Sequence, residues 1–296
     1  MTLSNLLIEE LDLSQINFNG NTLTLQCARL NKIVGPETFN GSLLLLPKSC
    51  RLTEFTLEGI SNIQGDFQCK DYSYVKEFVM PFIRVAGDMT IALNSGSVNT
   101  AAEIEFPKLQ EIGGTLTLGS NSNANNIAFP SLKKILGSCS VTTTDLKNDI
   151  EFTNLESIGT DGADEQIKFE IEATNILCPK LKTINGKFDI ATSSFMFDME
   201  ADQVSYPNVE SISENLSITC PYSDFGSNGI LSIDFSGLKS VKGISISGQG
   251  DVTDFSSFKY LFENNVLTGE SQWSVKECGY NPTFQEMKDG KYKLAE

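Results

Sequence analysis

The chain is 296 residues long and 40% hydrophobic, enough for a sizeable core, and its formal net charge of −16 repels nucleic acid. It contains no histidine, which removes Ser-His-Asp and Cys-His catalysis, histidine metal sites and any histidine pH switch. No apolar run reaches the roughly 18 residues of a membrane span, so none is expected.

The start, Met1-Thr2-Leu3-Ser4-Asn5, lacks the basic and apolar regions of a secretory leader. Residues 1–27 are expected to cap a repeat array over 28–246, and 247–296 to close it. Within the array, one column holds Leu30, Ile60, Phe82, Leu109, Leu132, Leu155, Leu181, Val209 and Leu238. Three residues later come Ile33, Ile63, Val85, Ile112, Ile135, Ile158, Ile184, Ile212 and Val241. A bulky column precedes them, with Cys27, Leu57, Val79, Phe106, Phe129, Phe152, Cys178, Tyr206 and Phe235. Two residues beyond the isoleucines, Gly35, Gly65, Gly87, Gly114, Gly137, Gly186 and Gly243 recur, interrupted by Thr160 and Glu214.

Ile-x-Phe and Leu-x-Leu alternate as a strand with one buried face does. The proline after the first strand has no N–H to give a ladder and closes that strand. The glycine is expected to permit a tight turn into the second strand. A single rung cannot bury its own apolar side, whereas stacked rungs bury a continuous ladder. The copy that starts near Thr153 and the last copy slip after the glycine position. Helical periodicity is scarce, with one short helix expected over 254–262, opened by Asp254. The expected fold is mostly β: a single right-handed parallel β-solenoid of about nine rungs with a short C-terminal cap.

The motif Phe106-Pro107-x-Leu109-x-x-Ile112-x-Gly114-x-Leu116-x-Leu118 resembles the repeat of the receptor L domain family. That family includes the ligand-binding L domains of insulin- and growth-factor-receptor ectodomains and related fungal cell-wall proteins. The motif is also similar to that of leucine-rich-repeat surface proteins of Bacteroides-type gut bacteria. The tail, with Trp273-Ser274-Val275, Tyr280-Asn281-Pro282-Thr283 and Met287-Lys288-Asp289-Gly290-Lys291-Tyr292, resembles the ends of such bacterial proteins. The resemblance spans roughly Leu25 to Ile246. It implies a secreted or lipid-anchored cell-surface protein, outer-membrane anchored, with its leader removed.

The seven cysteines form no disulfide framework. Cys27, Cys69, Cys139 and Cys178 fall in apolar columns and read as core residues, while Cys50, Cys220 and Cys278 lie outside them and leave room for one bridge. No metal and no cofactor is expected. The densest carboxylate cluster, Asp161-Gly162-Ala163-Asp164-Glu165, reads as a solvated insertion rather than a calcium or acid-pair site.

Three surfaces compete to bind a partner. The outward face of the second strand carries Gln68, Thr90, Thr117, Ser140, Asp189 and Ser217, with Thr90 and Thr117 as its candidate contacts. The inserts between rungs carry Phe195, Phe197, Tyr222 and Phe225, which suit sugar rings or a protein hot spot. A row with Lys108, Lys133, Lys134, Glu111 and Glu156 reads as a mixed-charge solvated edge. The expected function is a non-catalytic recognition or adhesion module. Its partner is a host or bacterial surface protein, or a polysaccharide. The alternative is a β-helix polysaccharide lyase or hydrolase using paired carboxylates.

Overall fold

The computed structural model describes residues 1–4, 7–46, 54–71, 74–92, 102–119, 124–142, 150–160, 167–171, 176–191, 203–220, 232–250 and 252–295. The chain is 45% strand and forms a parallel β-solenoid of about seven turns. It divides into two compact units, one of Met1–Leu155 with Asn175–Leu177, the other of Glu156–Thr174 with Cys178–Glu296.

In the first unit the strands Thr2–Ser4, Thr22–Gln26, Ser42–Leu45, Phe67–Lys70, Met89–Ala92, Leu116–Gly119 and Cys139–Thr142 pair in parallel, in that order. This is the long ladder. Its inward positions form rows of like residues: Leu43, Phe67, Met89, Leu116 and Cys139, then Leu45, Cys69, Ile91, Leu118 and Val141, all fully buried. A short ladder joins Thr38–Phe39, Asn62–Ile63, Arg84–Val85, Glu111–Ile112 and Lys134–Ile135. Two further sheets carry the first strands of the rungs. One holds Glu10–Asp12, Lys32–Val34 and Thr56–Glu58. The other holds Glu77–Val79, Ala102–Glu105, Ala124–Ala128, Ile150–Glu151 and Ile176–Leu177. Residues 1–27 contribute three strands to these ladders.

Like residues stack because register repeats from rung to rung. The rings of Phe106 and Phe129 lie 4.9 Å apart at 2°, and those of Phe129 and Phe152 lie 5.1 Å apart at 11°. Offset stacking adds to the area that each ring buries.

Two columns shift from their sequence alignment. Ile33 pairs with Leu11 and Leu57, and Phe39 takes the place beside Ile63. Val79 lies opposite Glu105 and is 36% exposed. The buried residue of that rung is Met80, whose N–H donates to the Glu105 carbonyl as that of Phe106 donates to Ala128. Pro81 explains the shift. Only Pro81 separates Met80 from Phe82, whereas two residues separate Phe106 from Leu109, so spacing counted back from Phe82 lands one residue early.

The glycine column also works differently from expectation. Gly87, Gly114 and Gly137 are not among the residues with positive φ. Each N–H donates to the carbonyl of the glycine one rung before, at 3.0 Å. A Cβ on Gly114 would stand 2.8 Å from the Gly87 carbonyl carbon, and one on Gly137 would stand 2.6 Å from that of Gly114. Close backbone approach between rungs, rather than a left-handed turn, requires glycine there.

In the second unit the long ladder runs through Lys168–Ile171, Lys187–Ala191, Asn215–Cys220, Gly243–Gly250 and Trp273–Cys278. The copy near Thr153 that slips in sequence recovers here. Phe169 pairs with Phe188, and the two rings stack 4.7 Å apart. Gly243 pairs with Asn215 and so lies one place beyond the glycine column. At the C-terminal end a 3-10 turn, Ser256–Phe258, leads into a helix, Lys259–Glu263. Asp254, expected to cap this element, accepts from the Ser256 N–H at 2.7 Å, but the cap positions themselves are held by Phe255 for the turn and Phe258 for the helix. Phe255, Phe258, Leu261, Phe262, Trp273 and Met287 form the buried cluster, and the Trp273 indole N–H donates to the Pro282 carbonyl at 2.9 Å. Thr283 and Glu286 cap a last helix, Phe284–Lys288.

Candidate functional site

Strand alternation sets the outward face of the long ladder. In the first unit Thr24, Leu44, Gln68, Thr90, Thr117 and Ser140 stand abreast on successive strands. Adjacent strands are roughly 4.8 Å apart, so Thr90 and Thr117 present a short row of hydroxyls. Both are half-buried between fully buried neighbours, Met89 and Ile91 on one strand and Leu116 and Leu118 on the next. At the edge of this face aspartates link successive rungs. Asp66 accepts from the Asp88 N–H at 2.9 Å, and Asp88 accepts from the Thr115 N–H at 2.7 Å.

In the second unit the corresponding row is Glu170, Asp189, Ser217, Ser245 and Ser274, flanked by Lys168 beside Lys187. Burial raises the Asp189 carboxyl above the usual carboxylate range. Glu170 adds to that rise, and Lys168 and Lys187 oppose it. Two carboxylates, two ammonium groups and a run of serines therefore share one face.

The other candidate contacts, Phe195, Phe197, Tyr222 and Phe225, lie outside the described residues, as do Asp161–Glu165 and Cys50. Cys27, Cys69, Cys139 and Cys178 are buried in the core, and burial pushes the Cys139 thiol well up. Cys278 is half-buried at the end of its strand. Two members of the expected mixed-charge edge, Glu111 and Lys134, lie on the short ladder. Arg84 Nε meets Glu111 Oε1 at 2.9 Å, and Glu111 lies abreast of Lys134. Among the described residues no group of three or more His, Cys, Asp or Glu is placed to hold a metal ion. No helix among them is long and apolar enough to cross a membrane.

Sequence reasoning missed one feature, a cleft of about 370 Å³ in the first unit. Glu54, Phe55, Thr56, Leu57, Glu58, Glu77 and Val79 line it. It opens where two sheets meet: Thr56–Glu58 ends one sheet, Glu77–Val79 begins another, and the isolated bridge Glu54–Glu77 joins them. The signal was present in Glu54-Phe55 and Glu77-Phe78. Aligning the two phenylalanines sets the two carboxylates side by side.

Comparison with protein-family models, with curated proteins and with solved structures yields no significant match.

Proposed function

We propose that this protein is a non-catalytic recognition module that binds a surface protein or a polysaccharide through the outward face of its long ladder. The observation that supports this reading is the in-register row Thr24, Leu44, Gln68, Thr90, Thr117 and Ser140. The short side chains of Thr90, Thr117 and Ser140 leave room for an extended ligand to lie across the strands. Hydroxyls and amides at strand spacing can exchange hydrogen bonds with sugar hydroxyls or with a partner backbone. The motif-level resemblance to receptor L domains and to Bacteroides-type surface repeats agrees with a secreted or lipid-anchored protein at the cell surface. The test is a glycan array and a pull-down with the parent chain and the Thr90→Lys/Thr117→Lys variant. Binding by the parent that the variant loses while keeping its β-sheet spectrum supports the reading. A partner held equally by both removes the face from the site.

A second reading, a polysaccharide lyase or hydrolase, draws support from Glu170 and Asp189 standing abreast with the Asp189 carboxyl raised. Strand spacing puts such a pair near the roughly 5 Å separation used by retaining glycosidases. Cleavage of neutral glycans or polyuronides that Asp189→Asn abolishes supports it, and a parent inactive on both ends it.

A further inference from the structure

We propose that the cleft between Thr56–Glu58 and Glu77–Val79 seats a lysine or arginine side chain from an extended basic segment of a partner protein. The cleft exists because pairing fails there. Thr56–Glu58 pairs along its length with Lys32–Val34, while toward Glu77–Val79 the isolated bridge Glu54–Glu77 is the pairing among the described residues. The stacked rings of Phe55 and Phe78, 6.0 Å apart, hold the floor.

Alternation along both strands sorts the lining. Phe55 and Leu57 point inward and form a dry base, 4% and 5% exposed, while Glu54, Thr56, Glu58, Glu77 and Val79 face outward. The bridge holds Glu54 and Glu77 abreast on neighbouring strands, roughly 4.8 Å apart along the sheet. Like charges set side by side repel, and among the described residues no cation lies within ion-pair distance of either. Glu58 differs, since the Lys32 ammonium lies 3.4 Å from its carboxylate and 3.5 Å from that of Glu10. Among the described residues, the carboxylates with no cation beside them are therefore those of Glu54 and Glu77, and the apolar surface of Val79 lies at the same end of the cleft.

Lysine and arginine fit this arrangement because their stems are apolar and their heads are charged. The stem would cover Val79 and the rim above Leu57, and the head would lie between the two carboxylates and relieve their repulsion. A volume of about 370 Å³ holds such a side chain with part of its backbone. The net charge of −16 draws a basic partner in from a distance. The cleft does not depend on the hydroxyl face of the long ladder.

The experiment is fluorescence anisotropy with a fluorescein-labelled alternating valine–lysine pentapeptide, alongside the same peptide with its lysines acetylated. The parent chain is expected to bind the first saturably and the second about tenfold more weakly or not at all. Glu54→Gln/Glu77→Gln is expected to weaken binding by about tenfold. Val79→Lys, which puts a cation of the chain's own into the cleft, is expected to abolish it. Glu151→Gln, on the fourth strand of the Glu77–Val79 sheet, is expected to leave it unchanged. Circular dichroism checks that each variant keeps its fold. The proposal is overturned if the parent shows no saturable binding up to about 1 mM, or if the acetylated peptide binds equally. It is also overturned if Glu151→Gln weakens binding as much as the double variant, which would mean that diffuse charge attracts the peptide.

Discussion

Glu214 stands in the column that holds glycine in most other rungs, and its buried carboxylate pairs with the Lys242 ammonium on the next rung. The Glu214 side chain is 7% exposed and that of Lys242 is 57% exposed. The Glu214 N–H still donates to the Gly186 carbonyl, at 3.1 Å, so the rung keeps its backbone link without its glycine. Gly186 beneath it has no side chain, and Lys242 supplies the countercharge. Lys242→Ala is expected to cost about 1–2 kcal/mol, because it leaves a buried carboxylate without its cation while the ammonium itself is largely solvated. Adding Glu214→Gln is expected to recover most of that loss. Urea unfolding of the two single variants and the double variant measures the coupling.

Gly114 tests whether close approach explains the glycine column. Gly114→Ala would place its Cβ 2.8 Å from the Gly87 carbonyl carbon and 2.9 Å from the Asp88 nitrogen. That backbone, on the preceding rung, is tied by the Gly87 N–H to the Gly65 carbonyl and by the Asp88 N–H to Asp66, so it cannot easily withdraw and a loss of about 2–4 kcal/mol is expected. Gly20→Ala is the comparison. Gly20 has φ +80° but open space around it, and the change should cost only about 1 kcal/mol. Equal shifts in the two thermal midpoints would refute the close-approach account.

Phe129 lies between Phe106 and Phe152 and is fully buried. Phe129→Ala is expected to destabilise by about 3–5 kcal/mol. In a stack of nearest-neighbour contacts the damage should be local. Hydrogen exchange should therefore speed first at Cys139–Thr142, the long-ladder strand of the same rung, and at Leu116–Gly119, its partner on the rung before.

Asp189 gives a pH dependence. Its folded carboxyl titrates above its unfolded value, so the folded state holds the proton more tightly. Stability contributed by this group is present below the unfolded pKa and is lost as pH rises through the folded one. Asp189→Asn is expected to be more stable than the parent at neutral pH, with the advantage vanishing by about pH 3. Denaturant midpoints at the two pH values check the sign.

Thiol chemistry separates core from rim. Burial keeps Cys139 as a thiol, and Cys69 is as deeply buried. Neither should react with iodoacetamide in the native state, since the thiolate is the nucleophile. Cys278, half-exposed at its strand end, should be alkylated before either of them, as mass spectrometry of native and unfolded samples would show.

Period-two alternation and the aligned copies were enough to place Leu109, Ile112, Leu116 and Leu118 in one dry interior, because a solenoid repeats its environment and each copy reports on the others. The same logic placed Cys27, Cys69, Cys139 and Cys178 in the core, and it set Thr90 beside Thr117 on the outward face. Where a rung loses a residue, as between Met80 and Phe82, or takes an insert, as before Phe169, spacing along the chain no longer measures position in the stack. Only the hydrogen-bond ladder decides register there. The cleft beside Val79 and the Glu214–Lys242 pair were hidden for a related reason. Each arises from how two neighbouring rungs meet, and that depends on backbone approach and strand splay, which no single repeat encodes.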